Sequence, residues 1–276
     1  VIVLSEIEIE SGMFWFDGRL NQHSDMNLSA DDPALKFGAS VFTTMRLYER
    51  SLEHPLTYWE GHRDRVSHSL QTFHWPQPDW LRVYTGCTQL AEHYPVLRIA
   101  VFPDGRELIT GRQLPADLAT QQRQGVMAWV AEGYARSLPA HKTGNYLASW
   151  LAIQQARHHG ASEVILTNPA GEWLETSTGN LWGWKDGHWW TPPLSCGILP
   201  GLVRQRLMAH LKQRVKEALW SSQWTAEFEA VAYSNCVVEL LPIRTIIGPK
   251  TKLEYNPTHP ALAELRQLFC QTDPGS

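Results

Sequence analysis

The spacing of apolar and polar positions divides the chain into short strands and a few amphipathic helices. Met13 to Phe16 and Ser40 to Tyr48 read as strands, with an Asp17-Gly18 turn after the first. Tyr58 to Phe73 reads as a helix, because Val66, Leu70 and Phe73 recur at helical spacing behind Arg63, Asp64 and Arg65. Val96 to Phe102 is a short buried strand ending at Pro103-Asp104-Gly105, and the weakly patterned polar stretch Arg106 to Gln124, with Pro115, reads as a connection between domains. Next come a strand, Val126 to Ala131, and a helix, Asn145 to His159, with Leu147, Trp150 and Leu151 as its apolar stripe and Gly160 as its stop. Two hairpins follow. One joins Glu163 to Thr167 with Trp173 to Thr176, and the other turns at Lys185-Asp186-Gly187 between Leu181 to Trp184 and His188 to Thr191. A last helix, Leu202 to Leu219, carries Leu207, Leu211 and Val215 on one side. The pattern predicts an α/β (α+β) chain: a smaller N-terminal α/β domain over 1–112, a connection over 113–124, and a larger C-terminal mixed α/β domain over 125–276. Internal repeats and low-complexity segments do not occur.

Composition narrows the partners. The 276 residues are 43% hydrophobic and carry a net charge of -4, with 24 Lys and Arg against 28 Asp and Glu. Without a basic run, neither nucleic acid nor an anionic membrane is an expected partner, and a small-molecule substrate is. Cys87, Cys196, Cys236 and Cys270 lie far apart with no CxxC pair, which argues against a disulfide framework or structural zinc and for a reducing cytoplasm. Val1 to Ser11 carries Glu6, Glu8 and Glu10 where a signal peptide needs a basic start and an apolar run, so export is not expected. The first residue is Val rather than Met, and the sequence leaves its origin open. No metal constellation stands out among the histidines, His158-His159 reads as a solvated pair at a helix end, and the tryptophans read as packing residues.

Three pieces carry candidate chemistry. Lys142, in Ala140-His141-Lys142-Thr143-Gly144-Asn145-Tyr146, stands at the mouth of a helix with no acidic neighbour in sequence; taken alone, such a lysine is most often a solvated surface residue. Glu175, after Trp173 and Leu174 and before Thr176, Ser177 and Thr178, is either an edge charge or a carboxylate able to hold a heteroaromatic N–H. Gly197 to Gly201 precede a helix whose first N–H groups, at Leu202 and Val203, suit an anion such as phosphate, with Arg65 a candidate cation for it. The plain alternative is a helix entry at Pro200.

Together these pieces resemble the fold-type IV pyridoxal-phosphate enzymes, which include branched-chain and D-amino acid aminotransferases and 4-amino-4-deoxychorismate lyases. The likeness covers nearly the whole chain and rests on Lys142 to Asn180, Gly197 to Arg204, Gly38 to Arg46, and His62-Arg63-Asp64-Arg65-Val66, similar to the family's His-x-x-Arg-Leu. It implies a pyridoxal 5'-phosphate cofactor bound as an imine to Lys142. It implies that Glu175 holds the pyridine nitrogen, that Arg65 and the N–H groups of Leu202 and Val203 hold the phosphate, and that Asn180, Asn235 and Cys236 line the cofactor. Tyr146 resembles the tyrosine that bonds the cofactor phenolic oxygen in the branched-chain branch, at a spacing one residue shorter than usual there. The resemblance also implies a homodimer.

The reaction turns on Phe42-Thr43-Thr44-Met45-Arg46. Aminotransferases of the family usually carry Glu at the position of Thr43, whereas the deoxychorismate lyases read Phe-Thr-Thr, so this segment resembles the lyases. On a strand, Phe42, Thr44 and Arg46 share one face, which predicts Thr44 toward the cofactor and Thr43 away. Val203-Arg204-Gln205 and Ser234-Asn235-Cys236 lean the same way; Asn145-Tyr146 is aminotransferase-like, and Gly38-Ala39-Ser40 departs from every branch. The resemblance thus implies a lyase of the folate pathway that releases pyruvate and 4-aminobenzoate. Lys142 and Thr44 would be its catalytic residues, with Phe42, Arg46 and Arg98 at the substrate, the two arginines as carboxylate forks. The alternatives are an aminotransferase for branched-chain or D-amino acids and, in another class, a non-catalytic ligand-binding relative.

Overall fold

The strand Phe14–Phe16 (β1) pairs with Arg19–Asn21 (β2) and starts an antiparallel sheet. A computed structural model describes residues 12–248 and 252–270 of the chain, so Val1 to Ser11 lies outside the described residues. The chain divides into two units, one of Val1–Pro115 with Lys142–Gly144, the other of Ala116–His141 with Asn145–Ser276.

In the first unit, Pro33–Phe37 (α1), Val41–Arg46 (β3), Trp59–Thr72 (α2), Trp80–Ala91 (α3), Val96–Val101 (β4) and Glu107–Arg112 (β5) follow, and the sheet runs β2-β1-β5-β4-β3. Strand parity sorts its faces. Trp15, Met45, Leu97, Ile99 and Ile109 pack against Val83, Cys87 and Leu90 of α3 and Trp59 of α2, while Phe42, Thr44 and Arg46 take the other face of β3. The three residues Lys142–Gly144 extend this sheet at β3. Phe42 N donates to Lys142 O at 2.8 Å, Gly144 N donates to Ser40 O at 2.7 Å, and Val41 bridges Thr143. Residue 144 must be glycine for this approach, since a Cβ there would lie 2.3 Å from Ser40 Oγ and 2.6 Å from Gly38 O.

The second unit contains Leu118–Gln124 (α4), Val126–Ala131 (β6), Leu147–His158 (α5), Glu163–Thr167 (β7), Trp173–Thr176 (β8), Asn180–Lys185 (β9) and His188–Thr191 (β10). It continues with Leu202–Leu211 (α6), Val215–Glu217 (β11), Ser222–Thr225 (α7), Ala230–Asn235 (β12), Glu239–Ile247 (β13), Lys252–Glu254 (β14) and Leu262–Cys270 (α8). Its mixed sheet runs β11-β10-β9-β12-β13-β6-β7-β8, with β14 beside β13. Trp182, Trp189, Ala230 and Ala232 pack under Val203 and Leu207 of α6 and Leu262 and Leu265 of α8; Ala131, Val164 and Leu166 pack under Ala152 and Ala156 of α5. The mixed α/β class is the one the sequence predicts.

Several local expectations are corrected. The stretch Arg106 to Gln124 holds β5 and α4, and its pattern is masked because the first inward residue of β5 is a buried charge: Glu107 accepts from Trp15 Nε1 and Gly18 N, both at 2.9 Å, and pairs with Arg82. On α5 the stripe Leu147, Trp150 and Leu151 is 63%, 48% and 40% exposed, and the small residues Ser149, Ala152 and Ala156 are buried. Close packing of the helix on β6 and β7 favours small side chains over large ones. The helix opening at Leu202 ends at Leu211, where Lys212 adopts φ 51°, and Val215 starts a strand parallel to β10. The sequence pattern leaves helix α3 unmarked, although Asp79, whose carboxylate accepts from the N–H groups of Leu81 and Arg82, is a capping signal. Among the described residues no helix is long and apolar enough to cross a membrane, and no group of three or more His, Cys, Asp or Glu is placed to hold a metal ion.

Candidate active site

In the first unit, pairing with β3 puts Lys142 beside Phe42, and its Nζ lies 4.6 Å from the Phe42 ring centroid. Arg98, on β4 directly opposite Thr44, stacks its guanidinium 4.0 Å from the same ring. Arg46 lies over the Tyr48 ring at 4.7 Å. Thr44 is half-buried on the Phe42 face. Lys142, Phe42, Thr44 and Arg98 therefore form one cluster on the sheet face that α3 does not cover.

Behind β3, Thr43 is 1% exposed. Its Oγ1 lies 2.6 Å from Nδ1 of His62 and accepts from Nη2 of Arg65 at 2.6 Å. His62 and Arg65 stand one turn apart on α2, so both reach the same hydroxyl. Burial, reinforced by the cations of Arg65 and Lys142, holds the His62 imidazole well below its ordinary range. Strand parity alone assigns Thr43 away from the chemistry; the structure ties it to Arg65.

In the second unit, Glu175 at the end of β8 is buried. Its Oε2 accepts from Leu199 N at 3.1 Å, and its Oε1 lies 3.3 Å from Nη1 of Arg136, itself nearly buried. Arg136 also donates from Nη2 to the carbonyl of His141, the residue before Lys142 in the chain, at 2.6 Å, and its guanidinium lies 5.8 Å from the Tyr146 ring. The Tyr146 hydroxyl donates to Ser177 O at 3.4 Å. Asn180 opens β9 and donates from Nδ2 to Leu199 O at 2.9 Å, and a Cβ at Gly201 would lie 2.1 Å from its Oδ1, so Asn180 and Gly201 fix the loop before α6. No side chain caps that helix at Gly201, which leaves the N–H groups of Leu202 and Val203 to an incoming anion. At the end of β12, Asn235 Oδ1 accepts from the N–H groups of Val237 and Val238 at 2.8 and 3.0 Å, and half-buried Cys236 lies on the same turn. Arg136, Thr43 and His62 are not among the candidates the sequence offers. Arg136 lies in an unpatterned loop and gives no sequence signal, whereas His62 lies within His62-Arg63-Asp64-Arg65-Val66.

The first unit carries Lys142, and the second carries the buried Glu175 and the start of α6. The chain belongs to the class IV aminotransferase family, whose model matches residues 40–246. Among curated relatives it is similar to an aminodeoxychorismate lyase of Vibrio harveyi, 24% identical over 264 residues that cover 88% of this chain and 94% of that one. It is equally similar to a branched-chain-amino-acid aminotransferase of Escherichia coli K12, 26% identical over 272 residues that cover 85% and 84%. It shares its fold with a hypothetical aminotransferase of Mycobacterium tuberculosis solved in a PLP-bound form, with TM-score 0.80, 18% identity, and 94% and 98% of the two chains covered.

Proposed function

We propose that the protein is a pyridoxal-phosphate-dependent 4-amino-4-deoxychorismate lyase that releases pyruvate and 4-aminobenzoate. The cofactor is supported by the family and by the PLP-bound relative. The donor set fits it: an amine at Lys142, a buried carboxylate at Glu175 for a pyridinium N–H, and an uncapped helix start at Leu202 and Val203 for a phosphate. Bound there, it supplies an electron sink beside the substrate amine nitrogen. Arg65 adds a cation for the phosphate, and Asn180, Asn235, Cys236 and Tyr146 complete its surroundings.

The observation that carries the lyase reading is Thr44 on the sheet face that also bears Lys142 and Arg98. In this reading Lys142 Nζ takes the ring proton beside the substrate amine, the ring C–O bond to the enolpyruvyl group breaks, and Thr44 Oγ1 relays a proton to the departing methylene carbon, which leaves as pyruvate. Formation of the aromatic ring drives the step. Arg98, flattened on Phe42, and Arg46 are the carboxylate-binding cations. A lysine so placed has no use in a mere binding protein.

An aminotransferase is the second reading, favoured by Asn145-Tyr146 and by the branched-chain relatives. A homodimer in the cytoplasm belongs to the same proposal. The deciding experiment supplies the purified protein with aminodeoxychorismate and no keto acid. Appearance of 4-aminobenzoate and pyruvate in equal amounts is expected. Their absence, with conversion of amino acids to keto acids, would replace the lyase by the aminotransferase.

A further inference from the structure

Glu163 opens β7 ahead of apolar Val164, Ile165 and Leu166 and is 4% exposed, yet none of the roles above uses it. Its carboxylate is surrounded by donors. Oε1 accepts from Val164 N at 2.8 Å and from Ser177 Oγ at 2.5 Å, and Oε2 accepts from Thr178 Oγ1 at 2.7 Å. The phenol of Tyr233, buried on β12, is pushed well above its ordinary range by burial and by the charge of Glu163. Thr178 Oγ1 in turn accepts from Asn235 Nδ2 at 3.3 Å.

Proton counting gives this arrangement a direction. A carboxylate only accepts, so Ser177 and Thr178 both spend their protons on Glu163. The Thr178 oxygen is then left as an acceptor, and the Asn235 amide must present its NH2 group there and its oxygen to Val237 and Val238. We propose that Glu163 is a positioning residue for the cofactor's surroundings, which through Thr178 fixes the Asn235 amide and with it the turn that carries Cys236. The proposal rests on the reading that Asn235 and Cys236 border the cofactor.

Glu163→Gln keeps the shape and reverses one bond. The Gln oxygen is required by Val164 N, so its NH2 group faces Thr178. The Thr178 proton then turns toward Asn235 Nδ2, donor against donor, and the amide is released. Burial pushes the Glu163 carboxyl above its ordinary value against the pull of its donors, and a neutral amide relieves that cost, so the variant is expected to fold. Thr178→Val, at an exposed position, cuts the same relay without touching the buried charge.

The test titrates pyridoxal phosphate into the apo forms of the wild type, Glu163→Gln, Thr178→Val, Asn235→Ala and the double variant Glu163→Gln/Asn235→Ala, read by tryptophan fluorescence. Each single variant is expected to raise Kd about tenfold, the scale of one hydrogen bond, and the double variant is expected to match Asn235→Ala alone. A merely structural Glu163 would leave Kd unchanged in Glu163→Gln and Thr178→Val, or its effect would multiply with that of Asn235→Ala. Either result overturns the proposal and leaves the cofactor reading intact. Wild-type protein that binds no pyridoxal phosphate would overturn both.

Discussion

Arg65 donates from Nη2 to the hydroxyl oxygen of Thr43 at 2.6 Å, so a neutral group orients this guanidinium without cancelling its charge. Thr43→Val keeps the β-branched shape and removes the oxygen. A hydrogen bond to a charged group is worth roughly 1.5–3 kcal/mol, so loss of this restraint should raise the dissociation constant of pyridoxal phosphate about tenfold or more. Thr43→Ser should bind as the wild type does. An unchanged Kd in the valine variant would show that Arg65 is placed by its helix alone.

Thr44 lies opposite Arg98 on the neighbouring strand, one residue from Thr43 and on the other face. Thr44→Val deletes only the oxygen. A positioned acid or base contributes about 100-fold to 10,000-fold, so 4-aminobenzoate formation should slow by up to that factor while cofactor affinity holds. A rate within a factor of two of the wild type would remove Thr44 from the proton path.

His62 is buried, and its imidazole titrates well below the ordinary value of 6.5. The unfolded chain therefore binds a proton near pH 6.5 that the folded chain refuses. Stability is complete above that pH and falls as pH drops below it, by about 1.4 kcal/mol per unit, until the folded-state value is reached. The difference in unfolding free energy between the wild type and His62→Gln should shift against the wild type by that slope between pH 6.5 and 5. Denaturant melts at three pH values measure it; a flat difference would mean that His62 takes up a proton in the folded state.

Arg136 and Glu175 form a pair removed from solvent on both sides. Arg136→Leu leaves the Glu175 charge buried with less compensation, and breaking a buried pair from one side costs about 3–5 kcal/mol. The melting temperature of the apo protein should fall by roughly 6–20 °C, at about 2–4 °C per kcal/mol for a chain of this size. Glu175→Gln should lower it less, because an amide is cheaper to bury than an unpaired charge. Equal melting points for Arg136→Leu and the wild type would show that water or another cation replaces the arginine.

Local pattern determined a good part of this protein. Short stretches whose inward residues are all apolar, such as Val126–Ala131, were legible because alternation and turn residues act over a few positions. Lys142, Glu175 and the Gly197 to Val203 segment are candidates as a set, since each alone reads as a surface charge or a plain helix entry and only together do they resemble one family. Only tertiary structure decided the rest. The three residues around Lys142 pair with a strand a hundred positions away. Small residues rather than Leu147 and Trp150 face the sheet under α5, because packing distance and not hydrophobicity sets that choice. Thr43, Arg136 and Glu163 acquire their roles from partners brought close by folding, and a lone polar residue in a sequence does not reveal which hydrogen bonds will repay its burial.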